Sequence, residues 1–257
     1  MARMTNLAKV VRSAGLKVVE VDGWKKRSAR TTWRGPKAVV VHHTATPSKV
    51  RGNYPTLSTV RNGRTGLPGP LSQLGLGRDG TVYVIAAGSA NHNYPASPSQ
   101  FGNDRAIGIE AEASGYDDWP RVQYDAYVRL VAALCRAYGI PADRSGVRGH
   151  KEATTPGRKS DPNFDMDKFR SRVRAVLNPP APPKPALGRY VTRGVSGKRK
   201  EPKRSARVLT FLRKGATVNI REVAYDKASG IWFGRYRTSL GNARWISLRP
   251  QDVKRKA

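Results

Sequence analysis

The stretch Val39-Val40-Val41-His42-His43-Thr44-Ala45-Thr46 ends a continuous apolar run in histidine. A second histidine stands far downstream in Arg148-Gly149-His150-Lys151-Glu152, and Gly157-Arg158-Lys159-Ser160-Asp161-Pro162 follows it. Two neutral imidazoles and one carboxylate suffice to hold a zinc ion with a fourth position left open. Between them lies Ala106-Ile107-Gly108-Ile109-Glu110-Ala111-Glu112, an apolar strand bearing two carboxylates that can serve as a base. The combination points to metal-assisted hydrolysis. The chain has four histidines, at 42, 43, 92 and 150. His43 should face the opposite side of its strand from His42, in a supporting role. Glu110 and Glu112, two residues apart, share a strand face and compete for the base role.

Those residues need elements to position them. Lys37 to His42 is short and apolar, as expected of a strand buried on both faces, and His42 stands at its carboxyl end, where open α/β sheets form sites. Ile107 to Ala113 is a second such strand. Leu71 to Gly77 and Thr81 to Ala86 flank Arg78-Asp79-Gly80, a hairpin signal. Asn6 to Ala14 and Gln123 to Tyr138 have helical spacing, the latter stopped by Gly139 and Pro141. Leu16 to Val21 is a short strand. Asp165 should cap a last helix in which Phe169, Val173, Val176 and Leu177 share one face. Strands mixed with helices predict an α/β fold, with a mixed central sheet flanked by helices. Cys135, the one cysteine, lies on the long helix as a buried thiol, and no intrachain disulfide can form.

The patterns Val41-His42-His43-Thr44-Ala45, Ile107-Gly108-Ile109-Glu110, Gly149-His150-Lys151 and Gly157-Arg158-Lys159-Ser160-Asp161-Pro162 resemble those of type-2 N-acetylmuramoyl-L-alanine amidases. Peptidoglycan recognition proteins share that family's fold. The middle region Leu71 to Gly80, followed by Ala90-Asn91-His92, is also similar. The likeness spans residues 35 to 178 and is strongest to endolysins of phages infecting actinobacteria. It implies zinc held by His42, His150 and Asp161, Glu110 as the catalytic base, and Lys159 as a charge beside the oxyanion. It also implies a pocket role for His92 in contact with substrate. Arg158 can assist Lys159 or bind a substrate carboxylate bidentately. Some relatives carry a tyrosine in the strand before the Arg-Asp-Gly turn. Here that strand reads Leu71-Ser72-Gln73-Leu74, which leaves the task to Glu110, or to Ser72 or Gln73 through water.

Residues 178–188 hold five of the 18 prolines and read as an extended, semi-rigid linker. The organisation expected is therefore a zinc amidase unit over 1–178, a Pro-rich linker over 179–188, and a wall-binding unit over 189–257. In the last, Arg207 to Leu212, Thr217 to Val223, Trp232 to Arg237 and Ala243 to Leu248 are short strands at nearly even spacing, the pattern of a small all-β barrel. Leu212 to Val218, Trp232-Phe233 and Arg244-Trp245-Ile246-Ser247 resemble bacterial SH3-like wall-binding domains. Trp232 and Trp245 serve there either as core or as ligand platforms. Lys198-Arg199-Lys200 with Lys203-Arg204 reads as a solvated loop.

The chain carries 48 Lys+Arg against 18 Asp+Glu, a formal charge of +30. Residues 189–257 hold 19 of those bases and four acids. Such a field favours polyanions. Helix-turn-helix, zinc-finger and aromatic RNA-binding signatures are missing, so the expected partners are peptidoglycan and anionic wall polymers rather than specific nucleic acid. A monomer is expected. No apolar run reaches the ~18 residues of a membrane span, and the first residues lack a signal-peptide core. The expectation is synthesis in a host cytoplasm and action at the wall after release.

Overall fold

The computed structural model describes residues 3–116, 119–179 and 181–256. The chain divides into two compact units, 1–178 and 179–257.

In the first unit the elements are α1 (Leu7–Ser13), β1 (Val18–Glu20), β2 (Ala38–His43), α2 (Leu57–Asn62), β3 (Gly63–Arg64), β4 (Leu67–Pro68), β5 (Leu74–Leu76) and β6 (Val82–Val84). They continue with β7 (Ala106–Ala111), α3 (Arg121–Tyr138), β8 (Val147–Gly149) and α4 (Met166–Leu177). Six strands form one mixed sheet in the order β1-β6-β5-β7-β2-β8. β5 and β6 make the predicted antiparallel hairpin, closed by the Asp79 carboxylate accepting from the Thr81 amide. β5, β7, β2 and β8 run parallel. Parallel strands need cover on both faces, and β2 accordingly buries every residue but His43.

Alternation along β2 and β7 decides what meets what. Val39, Val41, Ile107 and Ile109 face a core built with α1, α3 and α4. Ala38, Val40 and Ala106 face the other way, against Phe101 and Ala153. His42 and Glu110 continue this second face beyond the apolar residues. α3 starts at Arg121, two residues before its expected start, and ends at Gly139 in the left-handed region with φ of 65°. Cys135 is buried on it, and burial pushes its thiol up to about 12. Asp165 caps α4 as expected, accepting from the amides of Asp167 and Lys168. The face of α4 differs from expectation. Val176 is exposed, and Arg170 is buried instead, clamped at 2.7 Å to Glu152 and at 2.6 Å to Asp167. Pairing lets a charged side chain occupy a place that periodicity reserves for an apolar one.

The second unit is all β: β9 (Gly188–Thr192), β10 (Ser196–Arg199), β11 (Val208–Leu212), β12 (Thr217–Ile220), β13 (Glu222–Asp226), β14 (Ile231–Arg237), β15 (Ala243–Ser247) and β16 (Val253–Arg255). Sheets of order β11-β10-β15-β14-β13 and β12-β9-β16 enclose a core of Tyr190, Val218, Ile220, Tyr236, Ile246, Leu248 and Val253. These sheets are compatible with an SH3-like barrel. Two expectations need correction. The single strand expected over Thr217 to Val223 is broken into β12 and β13, which lie in different sheets. The segment expected as a loop at Lys198-Arg199 belongs to β10, paired with β11 and β15. A basic run forms a strand when its backbone is paired and its cations still reach solvent. Among the described residues no helix is long and apolar enough to cross a membrane.

Candidate active site

The carboxyl ends of β7, β2 and β8 lie side by side. In register, His42 pairs with Glu110, and Val41 pairs with Gly149, the residue before His150. Parallel pairing thus delivers three chemical groups from distant parts of the chain to one edge. Asp161 joins them from the loop before α4, anchored by its carbonyl accepting from the Lys151 amide at 2.8 Å. The close packing of that loop needs a glycine. A Cβ on Gly149 would stand 2.8 Å from Pro162 Cδ, next to Asp161.

His42, His150 and Asp161 each present a ligand atom, all within 4.8 Å of one another. His42 Nδ1 lies 3.3 Å and His150 Nδ1 3.1 Å from the Asp161 carboxylate. The tautomer of His42 follows from its other side. His92 Nε2 is 3.1 Å from the carbonyl of Ala106, which can only accept, so His92 Nε2 carries a proton. His92 Nδ1 is then the acceptor for His42 Nε2 at 3.2 Å. That leaves the lone pair of His42 Nδ1 aimed at an anionic carboxylate. Burial, and then the neighbouring His150, push the His42 imidazole down to about 4, so it is neutral near pH 7. Burial raises the Asp161 carboxyl, but its close contacts with the His150 and His42 imidazoles outweigh this and hold the group below the usual carboxylate range. Three ligand atoms this close together fit a small cation. The mixed nitrogen and oxygen donors suit zinc. His150 Nε2 is buried with no partner of its own.

Glu110 stands beside this set, its Oε1 3.9 Å from His42 Nδ1. Its Oε2 is buried and unpartnered. Burial, then the charge of Asp161, push the Glu110 carboxyl up to about 8. Glu112, its expected rival, faces elsewhere. It is wholly buried, and its carboxylate accepts from Thr56 Oγ1 at 2.6 Å, from the Thr56 amide at 3.2 Å and from Thr44 Oγ1 at 3.1 Å. It ties two loops together and is out of reach of a reacting atom. β7 ends at Ala111, so the two-residue alternation that would put Glu112 beside Glu110 no longer holds.

A groove of about 480 Å³ opens over the set, lined by Glu110, His150, Asp161, Arg158, Lys159 and Arg64 among others. A second lobe of about 400 Å³ shares Arg64, Arg158 and Lys159 and reaches Arg30 and Tyr94. Arg158 donates to Thr154 Oγ1 at 3.0 Å. Lys159 is exposed.

Two sequence expectations change. Ser72, expected to touch substrate, is wholly buried, and its hydroxyl donates to the Leu74 carbonyl at 2.7 Å. It braces a turn. His92 borders the groove but is mostly buried, held from behind by the Ala106 carbonyl and the Asn103 side chain. Its direct partner is His42. Gln73 is also buried, bracing β7 by accepting from the Gly108 amide at 2.7 Å. His43 points away from His42 as expected, toward Trp119, with ring centroids 6.2 Å apart. Sequence reasoning missed Tyr127. This α3 residue accepts from the His42 amide at 2.9 Å and donates to the Ile109 carbonyl at 2.9 Å. Its place among buried apolar neighbours on α3 hides it, although a fully buried tyrosine hydroxyl must find a partner.

Architecture and site together define an α/β protein of the amidase and peptidoglycan-recognition type, with a potential metal centre at the carboxyl edge of its sheet. The chain belongs to the N-acetylmuramoyl-L-alanine amidase family Amidase_2, whose profile matches residues 32–164. Solved structures similar to it include the endolysin amidase LysCS from Clostridium intestinale, at 21% identity over 62% of this chain and 95% of that one, TM-score 0.45. The Ph2119 endolysin of a Thermus scotoductus bacteriophage is 19% identical over 61% and 99%, TM-score 0.43. A mutant of Drosophila PGRP-LB in complex with tracheal cytotoxin is 21% identical over 59% and 99%, TM-score 0.37. No curated protein matches the chain.

Proposed function

We propose that this chain is a zinc-dependent endolysin that cleaves the amide between N-acetylmuramic acid and L-alanine in bacterial peptidoglycan. The observation that carries the reading is the convergence of His42, His150 and Asp161 beside the unpartnered carboxyl of Glu110. His42 through Nδ1, His150 and Asp161 would hold the metal. When bound, zinc acidifies water and polarises a carbonyl at neutral pH.

The chain's own groups do the rest. His92 keeps the His42 lone pair turned toward Asp161 by accepting from the far nitrogen. Glu110 takes the proton of the attacking water and passes it to the leaving amine nitrogen. Its high affinity for a proton in the bare site falls once a cation sits beside it, which leaves it ionised and ready to accept. Lys159 stabilises the negative charge that grows on the carbonyl oxygen during attack. Arg158 offers a planar fork for a carboxylate of the stem peptide. Among the described residues Arg64, Arg158 and Lys159 of the groove form no salt bridge, although Lys159 acts on Glu110 through space, and their shared positive charge favours a substrate bearing negative charge.

Residues 189–257 are the proposed wall-binding unit, attracted to anionic polymers by their excess of bases, and a phage infecting actinobacteria is the proposed source. Metal analysis of the purified chain, paired with turbidity loss of wall suspensions, tests the reading. One zinc per chain and lysis abolished by a chelator are expected. Full activity without zinc would overturn it.

A further inference from the structure

Residues 182–186, ahead of β9, are held against the strands of the second unit. The indole Nε1–H of Trp232 donates to the carbonyl of Pro182 at 2.7 Å. Four residues on, the Tyr190 hydroxyl donates to the carbonyl of Ala186 at 2.6 Å. Trp232 and Tyr225 are cross-strand partners on β14 and β13, and their ring centroids are 5.1 Å apart at 46°. The tilt makes an angled aromatic surface rather than a flat stack. Trp232 packs one side against the barrel core and is half-buried, so its N–H is left at the surface. Between the two bonded carbonyls the chain reads Pro182-Pro183-Lys184-Pro185-Ala186.

The chemistry on both sides matches. Proline has no amide hydrogen, so such a segment offers carbonyls as acceptors and ring faces as apolar surface. On an extended proline strand, which rises ~3.1 Å per residue, carbonyls four residues apart stand roughly 12 Å apart. A tyrosine or tryptophan donor at each end, with an aromatic wall beside one of them, is the arrangement that reads such a strand. Little conformational entropy is lost, because the prolines are stiff before they dock.

We propose that Trp232, Tyr225 and Tyr190 form a binding site for extended, proline-rich chain, and that residues 182–186 fill it in cis. Residues 182–186 are then a strap fastened to the β strands that follow rather than a free spacer. The same site is closed to an outside peptide while the strap is down.

The test uses the full chain. The Trp232 indole resonance is assigned in a 1H–15N spectrum with the Trp232→Phe variant. Pro182, Pro183 and Pro185 are then replaced together by glycine, which keeps every carbonyl but removes the stiffness and the rings. The Trp232 resonance should shift, and its hydrogen should exchange faster with water. A synthetic peptide of residues 179–187 should return it to its original position in a saturable titration. The unaltered chain, its site already filled at high effective concentration, should need at least about tenfold more peptide for any response. A Trp232 resonance unmoved by the triple replacement, or a replaced chain that ignores the peptide, overturns the proposal.

Discussion

At the residue scale the site separates groups by what their surroundings do to their protons. Glu110 is the sharpest case. Glu110→Gln keeps the shape and removes the acceptor, so hydrolysis should fall by ~10²–10⁴ while zinc content stays at the level of the unaltered chain. Glu112→Gln should retain turnover, since Glu112 is bound to Thr44 and Thr56 rather than turned to the groove. An inactive Glu112→Gln beside an active Glu110→Gln would reverse the assignment. Lys159→Met should lower kcat more than it raises KM, because the ammonium is needed where charge develops. The metal-stripped chain has its own signature. A carboxyl raised by folding from 4.5 to about 8 contributes stability that is complete below the unfolded value and lost as pH rises through the folded one. Stripped wild-type protein should therefore lose stability relative to stripped Glu110→Gln between pH 5 and 9, by on the order of a few kcal/mol. Denaturant unfolding at the two pH values measures this, and a difference between the chains that does not vary with pH would refute it.

At the element scale, strand register and close backbone approach build the site. β2 sits between β7 and β8, so one strand aligns His42 with both Glu110 and His150. Gly108 is what lets His92 lie against β7: a Cβ there would come within 2.6 Å of the His92 ring. Gly108→Ala should push the ring away, free the far nitrogen of His42 and weaken zinc binding by about 10–100-fold, the usual cost of losing a partner that orients a ligand. Competition with a chromophoric chelator reads this directly, and unchanged affinity would show that His92 does not orient His42. Thr44 and Thr56, joined through the buried Glu112, both line the groove, so this carboxylate helps fix the groove's wall.

At the scale of the whole molecule, the chain falls into two compact units, 1–178 and 179–257. A chain ending at Asn178 should keep zinc and cleave soluble muramoyl-peptide fragments, yet act more weakly on intact walls, since a tether raises local concentration without altering chemistry. Residues 179–257 alone should pull down with walls at low salt and release as salt rises, because the Debye length contracts from ~10 Å at 0.1 M to ~3 Å at 1 M. Failure to sediment with walls even at low salt would remove the targeting role.

Much of this was legible in the amino-acid order. The run Val39 to His42, the hairpin signal at Asp79-Gly80, the spacing of α3 and the Asp165 cap are local patterns, and local patterns survive without knowledge of neighbours. Two histidines and an aspartate in compact motifs named a metal set for the same reason: the donor types are few, and His42, His150 and Asp161 do converge. Tertiary structure decided the rest. Which face a residue near a strand end presents depends on where pairing stops, so Glu112 left the site and Ser72 became a turn brace. Whether a charge is buried depends on a partner elsewhere in the chain, as for Arg170. The tautomer of His42, the reach of Tyr127 and the seating of Pro182 on Trp232 each join segments 50 or more residues apart. Such contacts arise only when the chain closes on itself, because hydrogen bonds between distant segments leave no periodic trace along it.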